Sequence, residues 1–244
     1  MAGQLHDTAP VTGTARRADA GAVRLGRRDI DGLLLCAEHY GAPYDLLAAA
    51  LGAQPARLRG IVARWRRAGY AATGRLGPGP AWCWLTPAGM AAAGLGYPAT
   101  RPALARLAHI RAVLAARLWL QSGPAWTGGQ AWWHSERRIR GALRPGLGIG
   151  HLPDAEIHWP SLPASPYAGQ VWAIEAELTP KPLARTARIM AGLLSPPRYA
   201  QVIYLSAPAA RLVVTRVAAG LPAAQADRIV VRDLPPSAFL PEGA

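Results

Sequence analysis

Two short stretches carry the residues best suited to chemistry. Asp154 follows Pro153 at the head of a strand-like segment, Ala155-Glu156-Ile157-His158-Trp159. A loop rich in Pro, Ser and Gly leads to Val171-Trp172-Ala173-Ile174-Glu175-Ala176-Glu177, and Lys181 stands four residues further on. A strand's period of two puts Glu175 and Glu177 on one face. Pairing of the two segments brings Asp154 near both. Oxygen donors suit a hard cation, so Asp154, Glu175 and Glu177 are candidate ligands for Mg²⁺ or Mn²⁺. Such an ion polarises a phosphate and lowers the pKa of a bound water. Lys181 can orient that water or neutralise developing charge. Together these four are candidate catalytic residues for metal-assisted phosphodiester hydrolysis. Glu156 lies on Asp154's side of its strand and is a competing ligand.

The plain alternative is that these acids sit on exposed strand faces. Two features weigh against it. The chain has only 14 acidic residues, so their clustering stands out. Glu175 and Glu177 also continue a Val-Trp-Ala-Ile run that reads as a buried strand, where an unpaired carboxylate is costly. Neighbouring carboxylates raise one another's pKa unless a metal or Lys181 compensates. Lys181 is the only lysine in the chain, which otherwise takes its positive charge from arginine.

At 244 residues the chain is long enough for one large or two small domains. Its net charge of +13 points to a polyanionic partner, most simply double-stranded DNA. Two cysteines, Cys36 and Cys83, are too few for a zinc site or a disulfide framework. They read as small buried residues of a cytoplasmic protein. No apolar run is long enough to span a bilayer, so no membrane partner is expected. The first 22 residues lack a signal-peptide core and read as a flexible tail. A homodimer is compatible with the sequence.

Elements must position the candidate residues. Three helices are expected over 28–38, 44–51 and 54–68, with a turn at 41–43. In the third, Leu58, Ile61, Val62 and Trp65 recur at i, i+3, i+4 and i+7 and should face a core. Arg57, Arg59, Arg64, Arg66 and Arg67 occupy the rest of its circumference. Residues 70–76 and 81–85, around Gly77-Pro78-Gly79-Pro80, read as a two-stranded wing. A short helix follows over 88–93. This is the order of a winged helix-turn-helix, whose third helix would enter a major groove.

A linker is expected over 97–102 and a helix over 103–121, with Leu104, Leu107, Ile110, Leu114 and Leu118 on one face. His109 flanks that face, where a structural role is the simplest reading. The first strand of the second module falls somewhere in 125–147, with its tryptophans mostly in the core. The two site strands come next, with a loop over 160–169 long enough to move. A helix over 182–194 should turn Leu183, Ala187, Met190 and Leu194 inward and Arg185 and Arg188 toward phosphates. A strand over 199–205, a helix over 209–219 and a strand over 228–232 complete an α/β sandwich with a mixed central sheet. The expected division is a tail over 1–23, a DNA-binding module over 24–97, the α/β module over 103–234 and a tail over 235–244.

Pro153-Asp154, Glu175-Ala176-Glu177 and Lys181 resemble the PD-(D/E)xK nuclease superfamily. The variant is similar to the replication-relaxation family of actinobacterial plasmids and integrative elements. The resemblance runs from about Arg24 to Asp233. It implies a winged helix joined to a restriction-endonuclease-like core, and a DNA-binding protein of a mobile element. It also marks a histidine in the helix holding His109 and a Ser135-Glu136-Arg137 segment before the PD strand. Glu136 is either a surface ion-pair partner or an accessory to the metal or lysine. The usual lysine slot of the motif holds Glu177. Some members with Glu-x-Glu cleave DNA, and others with broken motifs only bind it. The readings are therefore a metal-dependent nuclease, a non-catalytic binding scaffold, or a regulator whose second domain senses a ligand.

Overall fold

The computed structural model describes residues 24–123, 126, 131–143, 150–162, 165–195 and 198–240. The expected tail over 1–23 lies outside them, as do 125, 127–130 and 144–147 of the stretch expected to hold the first strand of the second module. The chain opens with α1 (Arg27–Glu38), β1 (Ala42–Pro43), α2 (Tyr44–Ala50) and α3 (Pro55–Arg67). Then come β2 (Ala71–Gly74), β3 (Trp82–Leu85) and α4 (Pro87–Ala92). α3 starts with Pro55 in its first turn, where a missing N–H costs nothing. It buries Leu58, Ile61, Val62 and Trp65, the four expected residues. Each aliphatic member contributes roughly 1.5–3 kcal/mol by leaving water. Gly69, at φ 74°, turns the chain out of the helix.

β2 and β3 form the expected hairpin. The turn expected at 41–43 instead supplies β1, which pairs antiparallel with β3 through Ala42↔Cys83 and Pro43↔Trp82. Pro43 has no N–H, and β1 lies at the edge of this sheet, where no second partner is needed. Cys36 and Cys83 are buried and free. Thr86 caps α4 by accepting from the Gly89 N–H at 3.1 Å. Gly89 is required there, because a Cβ would stand 1.9 Å from the Tyr70 carbonyl oxygen.

The long helix, α5 (Leu107–Ser122), begins later than expected, after a 3₁₀ turn over Leu104–Arg106. Leu104 is 64% exposed and is not part of its packed face. Residues 110–116 are instead buried all round, Arg111 included. α2 and β1 pack on one side of α5 and β6 on another, and small Ala112, Ala115 and Ala116 let them come close.

The second sheet has the order β4-β5-β6-β7-β8. Its strands are β4 (Trp132–Ser135), β5 (Ala155–His158), β6 (Val171–Glu177), β7 (Gln201–Ser206) and β8 (Ile229–Asp233). β4, β5 and β6 run antiparallel, whereas β7 and β8 run parallel to β6. α6 (Glu136–Ala142) follows β4, α7 (Leu183–Leu194) crosses from β6 to β7, and α8 (Pro208–Ala219) and α9 (Ala223–Ala226) precede β8. One face, with Ile157, Trp172, Ile174, Ile203 and Leu205, shares a core with residues from α1, α2 and α3. The other, with Ala173, Val202 and Tyr204, packs on α7 and α8.

Three expectations need correction. α7 buries Thr186, Ile189, Met190, Leu193 and Leu194, while Leu183 is 43% exposed; its first turn precedes the part of the helix that packs. Trp132 is 55% exposed although Trp133 is buried, because strand alternation sends neighbours to opposite faces. The segment expected as a tail from 235 is docked as far as Leu240. Pro236–Ala238 form a 3₁₀ turn against α5, and Arg111 Nε donates to the Phe239 carbonyl at 3.2 Å. The loop after β5 is also anchored, by Tyr167 at 4.8 Å from the Trp159 ring and 4.7 Å from that of Trp172. No helix of the described residues is long and apolar enough to cross a membrane.

Candidate functional site

β6 is the central strand and is buried on both faces along most of its length. The alternation at its end places Glu175 and Glu177 on the face that α7 and α8 cover further back. Both are buried, at 2% and 5% exposure. Asp154 stands one residue before the Ala155↔Ile174 pair and so comes opposite Glu175. The sheet thus gathers the three predicted carboxylates at one corner.

Each carboxylate is held by a different base. Asp154 Oδ2 accepts from the Ala176 N–H at 2.9 Å, and its Oδ1 meets His109 Nε2 at 2.8 Å. Glu175 Oε1 meets His151 Nε2 at 2.8 Å. Glu177 pairs with Lys181. Burial first, and then the charges of Asp154 and Glu177, push the Glu175 carboxyl up to about 7. His151 partly opposes this. The bond to Glu175 raises the His151 pKa, and the bond to Asp154 raises that of His109. The role of His109 is thus contact with Asp154. His151 makes a second such contact, which the sequence pattern does not single out. Its one signal is its place three residues before Asp154 in the same short stretch.

The donor set fits a hard divalent cation. In the parallel register Tyr204 lies beside Glu175 and Ser206 beside Glu177. Tyr204 and Ser206 are fully buried, yet the phenol and hydroxyl oxygens have no hydrogen-bond partner among the described residues. Orphaned hydroxyls beside clustered carboxylates suit a solvated ion. Asp154, Glu175 and Glu177 would hold it. In the conformation described their oxygens do not all lie within 4.8 Å of one another.

Glu136 is the first residue of α6, after the N-cap Ser135, and takes Arg106 at 3.0 Å and Arg140 at 2.6 Å. Of the two readings left open for it, the structure displays the ion pair. A small cleft lined by Glu38, Tyr40, Arg106, His109, Glu136 and Asp154 opens beside it.

The α3 arginines divide. Arg57, Arg59, Arg66 and Arg67 are exposed. Arg64 instead pairs with buried Asp29 of α1, which also accepts from Trp65 Nε1 at 2.8 Å and from the Gly26 N–H at 3.0 Å. The outward face between these arginines is made of Ala56, Gly60 and Ala63, all exposed. A Cβ on Gly60 would meet nothing within 4 Å. Arg185 and Arg188 are exposed on α7, one turn and more beyond Lys181.

A second cluster lies on the same sheet face, one strand toward the edge. Glu156 is 1% exposed. Its Oε2 meets His158 Nε2 at 2.7 Å, and its Oε1 takes the Tyr199 hydroxyl at 2.7 Å and Arg198 at 2.5 Å. His134 is the cross-strand partner of Glu156, and its ring lies 3.9 Å from that of His158. Burial, then His158, lowers the His134 pKa to about 4. The sequence marks Glu156 only as a rival ligand. The Glu-x-His alternation within one strand is the available signal for more.

Compared with protein families, curated proteins and solved structures, the chain has no significant match.

Proposed function

We propose that this is a DNA-binding protein of a mobile element, acting in plasmid replication, relaxation or transfer, whose α/β core carries a divalent-metal site for phosphodiester chemistry. The observation that carries the reading is the outward face of α3. Small residues let a helix approach a groove closely, and the exposed Arg57, Arg59, Arg66 and Arg67 beside them suit phosphates and base edges. The N-terminal order of helix, short strand, two helices and hairpin supports a winged helix. The order from α5 to β7 is helix, strand, short helix, two strands, helix and strand; with α6 taken as an insertion between the first two of three antiparallel strands, it supports a PD-(D/E)xK-like core.

At the acid corner, Asp154, Glu175 and Glu177 would hold Mg²⁺ or Mn²⁺. When bound, that ion supplies Lewis-acid polarisation of the phosphate and an acidified water. His109 and His151 fix the orientation of two carboxylates through Nε2, as partners of ligating groups commonly do. Lys181 brings positive charge to the mouth of the corner, where charge develops on the phosphate. Arg185 and Arg188 extend that positive surface along α7.

One observation favours a second reading, a non-catalytic DNA-binding regulator that uses the core as a scaffold. Lys181 is already engaged by Glu177, the residue in the motif's lysine slot. Incubation with supercoiled plasmid in Mg²⁺, Mn²⁺ or EDTA separates the two. The nuclease reading expects metal-dependent nicking that Asp154→Asn abolishes and Lys181→Ala slows by about 10²-fold or more, with DNA affinity little changed. Binding without nicking selects the scaffold. Failure of the wild type to bind duplex DNA overturns both.

A further inference from the structure

Among the described residues, one group of three His, Cys, Asp or Glu side chains brings its ligand atoms within 4.8 Å of one another. It is His134, Glu156 and His158, not the carboxylate corner. We propose that these three residues form a binding site for a divalent transition metal of the Zn²⁺ class, separate from the acid corner and independent of the function proposed above.

Backbone geometry builds the site. Glu156 and His158 are two residues apart in β5 and so share a face. His134 of β4 stands directly across from Glu156. Cross-strand neighbours on one face have Cβ atoms about 5 Å apart, so three donor side chains are delivered to one point by two paired strands.

The chemistry separates this site from its neighbour. Two imidazoles and one carboxylate suit Zn²⁺, Ni²⁺, Cu²⁺ or Fe²⁺, whereas a set of carboxylates suits Mg²⁺ or Mn²⁺. Two histidines with a glutamate leave a fourth position for water in a tetrahedral ion. Glu156 also has outer support. The Tyr199 hydroxyl bonds its second oxygen and fixes the carboxylate plane, as hydrogen-bond partners of metal ligands do.

The simpler account is that Arg198 neutralises a buried glutamate. It leaves the histidines unexplained. Arg198 is half-exposed, at 49%, and one guanidinium already balances one carboxylate. Two imidazole rings 3.9 Å apart repel if both are charged; His158 meets Glu156 as an N–H donor, and an incoming ion would take the place of that proton. Admitting an ion needs a modest adjustment. The 2.7 Å contact of His158 with Glu156 must open to about 3.3 Å, the separation of two ligands each about 2.0–2.1 Å from tetrahedral Zn²⁺. His134 and His158 are partly exposed and can supply that movement.

The site would pin β4, a four-residue edge strand, to β5. The test uses full-length protein stripped with chelator. Calorimetry and metal analysis should find one Zn²⁺ per chain, with a rise in melting temperature by mass action on the native state. His134→Ala and His158→Ala should each weaken Zn²⁺ binding by about 100-fold or more and abolish the thermal shift. His151→Ala and Asp154→Asn should leave both intact, which separates this site from the acid corner. Cu²⁺ bound to the wild type should show nitrogen hyperfine structure from two imidazoles in its paramagnetic resonance spectrum, a readout that needs no variant to fold. A wild type that binds no Zn²⁺, unchanged affinity in the two histidine variants, or a Cu²⁺ spectrum without nitrogen coupling would each overturn the proposal.

Discussion

Glu175 is the residue in which stability and chemistry oppose each other most directly. Its folded-state pKa of about 7 stands above the ordinary 4.5 because burial, Asp154 and Glu177 all disfavour its charge. The folded protein therefore holds this proton more tightly than the unfolded chain does. Below about pH 4.5 the group costs nothing. Between 4.5 and 7 its ionisation progressively destabilises the fold, and above 7 the cost is constant. A shift of this size, with the opposing effect of His151 already included, corresponds to roughly 3 kcal/mol. Glu175→Gln without divalent metal should therefore melt higher than wild type at pH 8, by about 1–3 kcal/mol of stability, and equally at pH 4. Mn²⁺ should reverse the order at pH 8, because only the wild type keeps the full donor set. A variant less stable than wild type at both pH values would show that Glu175 is an ordinary buried hydrogen-bond partner.

At the scale of the element, α3 divides its arginines between an ion pair with α1 and the solvent-facing surface. Its inward face carries Leu58, Ile61, Val62 and Trp65, and Arg64 closes the contact with α1 through Asp29. A variant that removes Arg64 thus mixes folding with binding. Arg57, Arg59, Arg66 and Arg67 have no such tie and are the clean set. Replacing those four with alanine should leave the melting temperature within a few degrees of wild type. It should flatten the dependence of log K on log salt by about 0.9 for each phosphate no longer neutralised. Gly60→Arg probes the small outward face separately. The position has open space, so the fold should tolerate it, while a bulky side chain would block close approach to a groove. An unchanged salt slope in the fourfold variant, with intact folding, would remove α3 from the interface.

At the scale of the whole molecule, the two modules are joined by buried charge as well as by apolar packing. Arg111 of α5 is 4% exposed and takes both oxygens of Asp45 of α2, at 3.0 and 2.5 Å. Arg137 of α6 donates to the Ala37 carbonyl at 2.7 Å and the Pro98 carbonyl at 2.6 Å. Glu38 of α1 receives Ser135 at the end of β4. The linker expected over 97–102 is thereby strapped down, and Pro102 is buried. One cooperative unfolding transition is expected by fluorescence and by calorimetry. Arg111→Ala should cost about 1–3 kcal/mol, because it removes a buried side chain and leaves the Phe239 carbonyl without its donor, while Asp45 stays in contact with water. Two resolved transitions in the wild type would mean that the modules fold independently.

The sequence by itself determined what depends on local period and local chemistry. The stripe of α3, the β2–β3 hairpin around Gly77-Pro78-Gly79-Pro80 and the alternating acids of β6 follow from the spacing of residues a few positions apart. So does the meeting of Asp154 with Glu175, since the two segments are joined by a short loop. The tertiary structure alone decided what depends on distant partners. α5 reads as a one-sided amphipathic helix, yet it is buried all round because two modules close on it. Arg64 and the exposed arginines of α3 look alike in sequence and differ only because Asp29 lies beside one of them. His109, His151 and His134 come to their carboxylates only when α5 packs and the strands pair, whereas the Glu156-x-His158 contact lies within one strand. A side chain's neighbours across a sheet or a seam are set by register and packing, and no spacing along the chain encodes them.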